Sequence, residues 1–129
     1  MKALESQLRA AAQKVCVVIF TDGESSDGNI ADAMRPLKSL PVTVVLRLCT
    51  DDDRIVQYWN NIDKELELDM DVLDDFCGEG KEVHRVNSWI SYGEPMHRLR
   101  EFGIHLKEFD LLDEAPLTLE QTRRFCWLM

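Results

Sequence analysis

The chain has few of the marks that usually assign a function. Its 129 residues contain no Cys-x-x-Cys pair, no Gly-x-Gly-x-x-Gly, no Gly-Lys-Ser/Thr phosphate loop and no Gly-x-Ser-x-Gly elbow. A nucleotide-binding or serine-hydrolase assignment therefore lacks its parts. No charged opening segment precedes an apolar stretch, and no apolar run reaches the roughly 18 residues that a membrane span needs. These absences predict a soluble, cytoplasmic protein. Basic residues are outnumbered 15 to 24, giving a net charge of -9. The mean field thus repels nucleic-acid backbones and anionic membranes. The four cysteines at 16, 49, 77 and 126 are too scattered for a zinc site, and Cys16 and Cys49 lie in apolar runs. They read as buried free thiols. The three histidines, His84, His97 and His105, form no His-x-x-x-His pair and read as surface or packing residues.

Hydrophobic residues make up 45% of the chain. A chain of this length can bury about two-thirds of its unfolded surface around one core, so residues 1-129 read as a single domain. Its pattern is βα. Ala3, Leu4, Leu8, Ala11 and Ala12 recur at helical spacing to about Gln13. Val15-Cys-Val-Val-Ile-Phe20 is a continuous run of β-branched and apolar residues, predicting a central strand covered on both faces. Asp27 is a candidate cap for a helix carrying Ile30, Met34 and Leu37 on one face, which Pro36 must kink or end. Val42 to Leu48 repeats the strand pattern, with Arg47 marking it as less central. Arg54 to Leu66 places Ile55, Val56, Trp59, Ile62 and Leu66 on one helical face, and Met70 to Phe76 is a third, shorter strand.

The last third is less regular. Asn87 to Pro95 reads as a loop, with Trp89 and Tyr92 either packed on the core or forming a recognition patch. Glu94 to Phe102 predicts a helix stopped by Gly103, with Met96, Leu99 and Phe102 inward and His97, Arg98 and Arg100 outward. Thr118-Leu-Glu-Gln121 matches a capping box for a last helix to about Leu128, with Leu119, Thr122, Phe125 and Cys126 available for burial.

Acidic residues stand at or near the end of each predicted strand, at Asp22, Asp51 and Asp74. Right-handed crossovers would make the strands parallel and bring these acids to one edge of the sheet, where open α/β sheets bind ligands. Clustered carboxylates raise one another's pKa values unless a cation or a basic side chain neutralises them, and Mg²⁺ or Mn²⁺ takes such oxygen ligands. Asp22 is the leading candidate ligand, with turn formation or helix capping as its structural role. Asp51, Asp52 and Asp53 read first as helix-capping residues, with Asp51 a weaker metal candidate.

The segment Phe20-Thr-Asp-Gly-Glu-Ser-Ser-Asp-Gly28 and the strand before it resemble the fourth strand of a von Willebrand factor A domain. "LPVTVVLRLCTDDD" is similar to its fifth strand and "MDVLDDF" to its sixth. The resemblance covers most of residues 3 to about 87. It implies a doubly wound, Rossmann-like, mainly parallel sheet and a noncatalytic protein-interaction module. It also implies that Asp22 contributes, usually through water, to a metal-ion-dependent adhesion site. The family's Asp-x-Ser-x-Ser and its later threonine do not precede Val15, so the implied metal site is incomplete. The fourth strand of the family pairs with the first, which predicts an open edge at Val15 to Phe20 for a longer form of the chain, another protein or a second copy to fill. Ser25, Ser26, Trp89 and Tyr92 are candidate partner contacts. The alternative is a Mg²⁺-dependent phosphoryl-transfer or hydrolytic enzyme using Asp22.

Overall fold

Strand Val42–Leu48 is apolar at every position except Thr43 and Arg47, and all but Arg47 are buried. In the structure, a computed structural model describing residues 4–104 and 106–128, this strand is the middle one of three. The strands are β1 (Val15–Thr21), β2 (Val42–Leu48) and β3 (Met70–Leu73), parallel and ordered β1-β2-β3. Val15 aligns with Val42 and Val44 with Met70. The chain is thus mixed α/β, with a small parallel sheet flanked by helices. No helix among the described residues is long and apolar enough to cross a membrane.

The expected order of burial is reversed. β1 is an edge strand whose even residues, Cys16, Val18 and Phe20, are exposed while its odd residues are half-buried. A continuous apolar run does not by itself distinguish two covered faces from one covered face and one bare face. β2 is central although it carries Arg47, because that charge meets polar partners.

One face of the sheet is closed by α2 (Ile30–Met34) and α3 (Asp53–Leu66). Ala31, Met34, Trp59, Ile62 and Leu66 pack there with Val44, Leu46, Leu48 and Met70, and Ile30, Leu37, Ile55 and Val56 border them. The apolar stripe expected for residues 54–66 is the stripe that packs. Asn29, rather than Asp27, caps α2 by accepting a 2.9 Å hydrogen bond from the Ala31 amide. Asp27 instead accepts from Ser26 Oγ. Pro36 ends the α-helical geometry, and Arg35–Ser39 continue as a 3-10 turn. Asp52 caps α3 through the Arg54 amide.

Over the other face lie α4 (Phe76–Val86), α5 (Glu94–Glu101), α6 (Lys107–Glu114) and α7 (Leu119–Leu128). Val83, Ile90, Met96, Phe109, Leu112 and Phe125 form their shared core. The sequence did not predict α4 or α6. α4 contains Gly78 and Gly80, which weaken a helical pattern, but Asp75 caps it by accepting from the Cys77 and Gly78 amides. A Cβ at Gly78 would lie 2.5 Å from Asp74 Oδ2, so this glycine lets the helix begin against the end of β3. That early start also shortens the third strand to Leu73. The capping box of α7 forms as expected, with Thr118 N donating to Gln121 and Gln121 N to Thr118 Oγ1. Phe125 is buried, but Leu119 and Cys126 are exposed.

All four cysteines are free and exposed, not buried. The opening helix is shorter than expected: α1 (Glu5–Ala10) buries none of its residues. Ala3 and His105 lie outside the described residues.

Candidate functional site

Parallel pairing sets the ends of β1, β2 and β3 on one edge, followed by Asp22, Asp51 and Asp74 respectively. Asp22 and Asp51 are exposed. The loop holding Asp22 is anchored from behind, because Trp59 Nε1 donates to Gly23 O at 3.0 Å and Thr21 Oγ1 bonds the same residue. Trp59 is therefore core and loop anchor together. Asp74 is half-buried, and its Oδ1 has no hydrogen-bond partner. Burial, followed by the neighbouring Asp75 and Asp51 charges, raises the pKa of its carboxyl above the ordinary aspartate value. Among the described residues, no group of three or more His, Cys, Asp or Glu is placed to hold a metal ion.

The largest departure from the sequence reading is in α5. The helix forms where expected, but it presents its polar face to the sheet. His97 and Arg100 are 3% and 2% exposed, whereas Leu99 is 38% and Phe102 74% exposed. The cause lies in the strands beneath. Val45, Arg47, Asp71 and Leu73 share one face of β2 and β3 by register, so that face offers charges and takes a helix that can pair them.

Arg100 is the hub of this cluster. Its Nε and Nη2 bind both oxygens of Asp71 at 3.1 and 2.9 Å, while its Nη1 donates to Glu79 Oε2 at 2.6 Å and to Tyr92 Oη at 3.3 Å. Such forked pairing suits a buried guanidinium. Glu79 also accepts from the Asp74 amide through Oε1, tying the base of α4 to the end of β3. Two carboxylates share one guanidinium in a desolvated place, and Asp113 adds a third acidic charge to the surroundings. Burial, only partly offset by Arg100, pushes the Glu79 carboxyl up to about 7. Asp113 is likewise pushed up to about 6 by burial, and the Tyr92 hydroxyl to about 12.

A second charge, Arg47, sits beside this hub. Its Nε pairs with Glu101 at 3.1 Å, and its Nη1 donates to Asp74 O and to His97 Nε2 at 3.1 Å. An arginine only donates, so His97 Nε2 must be the accepting nitrogen, and Nδ1 carries the proton toward Tyr92 Oη at 2.9 Å. Burial and then the Arg47 charge lower the His97 pKa, keeping the ring neutral. The cluster is internally paired. It holds α4 and α5 on the sheet, and its members reach the surface in two places: Asp71, Arg100 and Asp113 line one open cavity, and Arg47, His97 and Glu101 line another.

Of the candidate partner contacts, Tyr92 belongs to this cluster. Trp89 is 51% exposed and meets Phe125 edge-on. Ser25 is half-buried and Ser26 exposed, and no hydrogen bond or ion pair joins either of them to Trp89 or Tyr92.

The remaining feature is the free side of β1. Val15 N donates to Pro41 O and Thr21 O accepts from Cys49 N, so the odd residues turn their main-chain groups toward β2. The amides and carbonyls of Cys16, Val18 and Phe20 consequently point away from the sheet, and no strand pairs with them among the described residues. Phe20 is 68% exposed. Beside it the C-terminal end of α5 comes down on β1, where a Cβ at Gly103 would lie 2.4 Å from Cys16 Sγ. Although the residue is exposed, that local desolvation raises the Cys16 thiol pKa. Exposed Val18, Phe20, Leu99, Phe102 and Ile104 therefore belong to β1 and to the end of the helix that reaches it. The composition of Val15–Phe20 predicts a central strand and the helical stripe puts Leu99 and Phe102 in the core, whereas β1 lies at the edge and both side chains are exposed.

No family model, no curated protein and no solved structure matches the chain. The von Willebrand resemblance rests on the residues that suggested it.

Proposed function

We propose that the chain is a cytoplasmic, noncatalytic protein-interaction module that binds by adding a partner's extended segment to β1. One observation carries this reading: the outward main-chain groups of Cys16, Val18 and Phe20 on a strand with no charge and no proline. Unprotected edges of this kind are templates for strand addition, and natural proteins that must avoid pairing place lysine, proline or a bulge there. The exposed apolar residues beside the edge supply the contact that side chains of such a segment would need. The finer fold belongs to the same proposal. A von Willebrand A-like, doubly wound order puts a further strand on the β1 side, and the observed β1-β2-β3 order with helices on both faces is compatible with it. A Mg²⁺ or Mn²⁺ ion at Asp22 rests on the acids at the strand ends and on the resemblance, and the edge does not require it.

The test is photo-cross-linking in cells that make the protein, with a photoreactive residue at position 20 or, as control, at the exposed Glu65. The expected result is a discrete protein adduct from position 20 that is absent from position 65. If position 20 yields only the uncrosslinked chain, the reading fails.

A further inference from the structure

Resting on the reading of β1 as a pairing edge, we infer that its partner is a second copy of this chain, joined antiparallel about a two-fold axis at Val18. The strand is symmetric in the features that matter. Val18 is the midpoint of Val15–Thr21, so an axis there pairs every strand residue and leaves no overhang. Cys16, Val18 and Phe20, whose main-chain groups face outward, then exchange both bonds with Phe20, Val18 and Cys16 of the second copy. These are the residue positions that an antiparallel ladder needs in its hydrogen-bonded pairs. The sheet becomes six-stranded and continuous, with β2 and β3 of each copy outside the two β1 strands.

Two further features agree with this register. First, the charges that flank the strand match: Lys14 of one copy stands opposite Asp22 of the other, and the symmetry makes this contact twice. Asp22 is exposed, and the Lys14 side chain is 62% exposed even while it pairs with Asp69. Second, the same register brings Phe20 of one copy opposite Cys16 of the other, on the face where Cys16 Sγ lies under Gly103. Phe102 and Ile104 flank that glycine. Phe20 and Phe102, at 68% and 74% the two most exposed phenylalanines among the described residues, thus come to neighbouring positions across the interface. Such a patch is self-complementary, as a two-fold interface requires.

The edge also allows a selective test. The Val18 amide points outward, so Val18→Pro removes a donor from the dimer and none from the β1-β2 ladder. Val18→Lys is the companion, placing two ammonium groups together at the axis while its own site tolerates exposure. The native protein is expected to sediment at twice 14.9 kDa, with both variants reduced to single copies whose circular dichroism is unchanged. Val18→Cys is expected to give, on mild oxidation, a dimer whose disulfide maps to position 18 of both chains, since residues paired about the axis lie within bridging distance. A native protein of 14.9 kDa at every concentration overturns the inference, and so does a dimer that survives both Val18→Pro and Val18→Lys, or oxidation linking other positions in preference to 18. If the protein is single-copy yet position 20 still cross-links to a different protein, the self-pairing is wrong and the edge function stands. If position 20 gives no adduct, both fail.

Discussion

Glu79 shows how one residue can set the response of the fold to pH. Its carboxyl ionises near 4.5 in an unfolded chain, and burial beside Arg100 pushes it up to about 7 in the folded protein. A raised folded pKa means that the protonated form is favoured by folding. This contribution is complete below pH 4.5 and is lost as pH rises through about 7, with a total on the order of 3 kcal/mol. His97 works in the opposite sense, because its folded pKa is lowered from 6.5. Its contribution is present above pH 6.5 and lost as acid protonates the ring through that lowered value. The two oppose one another in the mildly acidic range. Asp113, pushed up to about 6, acts in the same sense as Glu79, so Glu79→Gln is expected to weaken the trend rather than abolish it: between pH 7 and 4.5 the urea-unfolding stability of the variant should gain less on acidification than that of the unmodified chain. An unchanged profile in the variant would show that Glu79 is ionised in the folded protein.

At the scale of the element, α5 is held by its end as much as by its face. Gly103 has φ +75, Gly103 N donates to Arg100 O, and Ile104 N donates to Leu99 O, the paired bonds of a glycine-terminated helix. Gly103→Ala would strain that left-handed backbone by roughly 1 kcal/mol and drive a methyl into Cys16 Sγ, for a total cost of about 2–4 kcal/mol. Thermal unfolding is the measurement, and adding Cys16→Ala is expected to recover part of the loss. A cost below about 1 kcal/mol would mean that the helix end does not press on β1. The sequence located this element and its stop, since Gly103 follows an amphipathic stretch. The rotation of the helix was not legible from its own residues. Met96, Leu99 and Phe102 make an apolar stripe, but Arg47 and Asp71 beneath require His97 and Arg100. The usable signal was a charge inside each of two strands. Arg47 read as a mark of lower burial, when its place in an otherwise apolar strand called for a buried partner. α4 was illegible for a related reason: Gly78 disfavours a helix, and its need arises only from Asp74 lying against it.

For the whole molecule, the sheet has a covered middle strand and an open edge at β1. β2 has a neighbour on both sides and a helical layer on both faces, so its amides should exchange with solvent only when the molecule opens globally. On the proposed pairing, the outward amides of Cys16, Val18 and Phe20 gain protection only from another chain. Hydrogen exchange measured over a range of protein concentrations should slow at those three positions as concentration rises and leave Val44, Val45 and Leu46 unchanged. Equal concentration dependence at both strands would place the association elsewhere. The open edge entered the sequence reading only through the von Willebrand resemblance, in which the fourth strand pairs with the first. The run Val15–Phe20 by itself argued for a covered strand, because apolar composition records affinity for a neighbour and not whether that neighbour belongs to the same chain. The candidate metal ligands were legible as strand-end acids, but their spacing along the chain carries no information on how far apart the loops hold them.

The order β1-β2-β3 follows the order of synthesis. Each strand of this sheet can therefore join a predecessor that has already left the ribosome, and none waits for a later strand to create its place. Within this sheet the β1 edge is made first, while α5, which caps one end of it through Gly103, is made much later. During that interval Cys16, Val18 and Phe20 are presented bare on a growing chain, beside other growing chains on the same message. The apolar edge is thus exposed to non-native association before the rest of the fold can close around it.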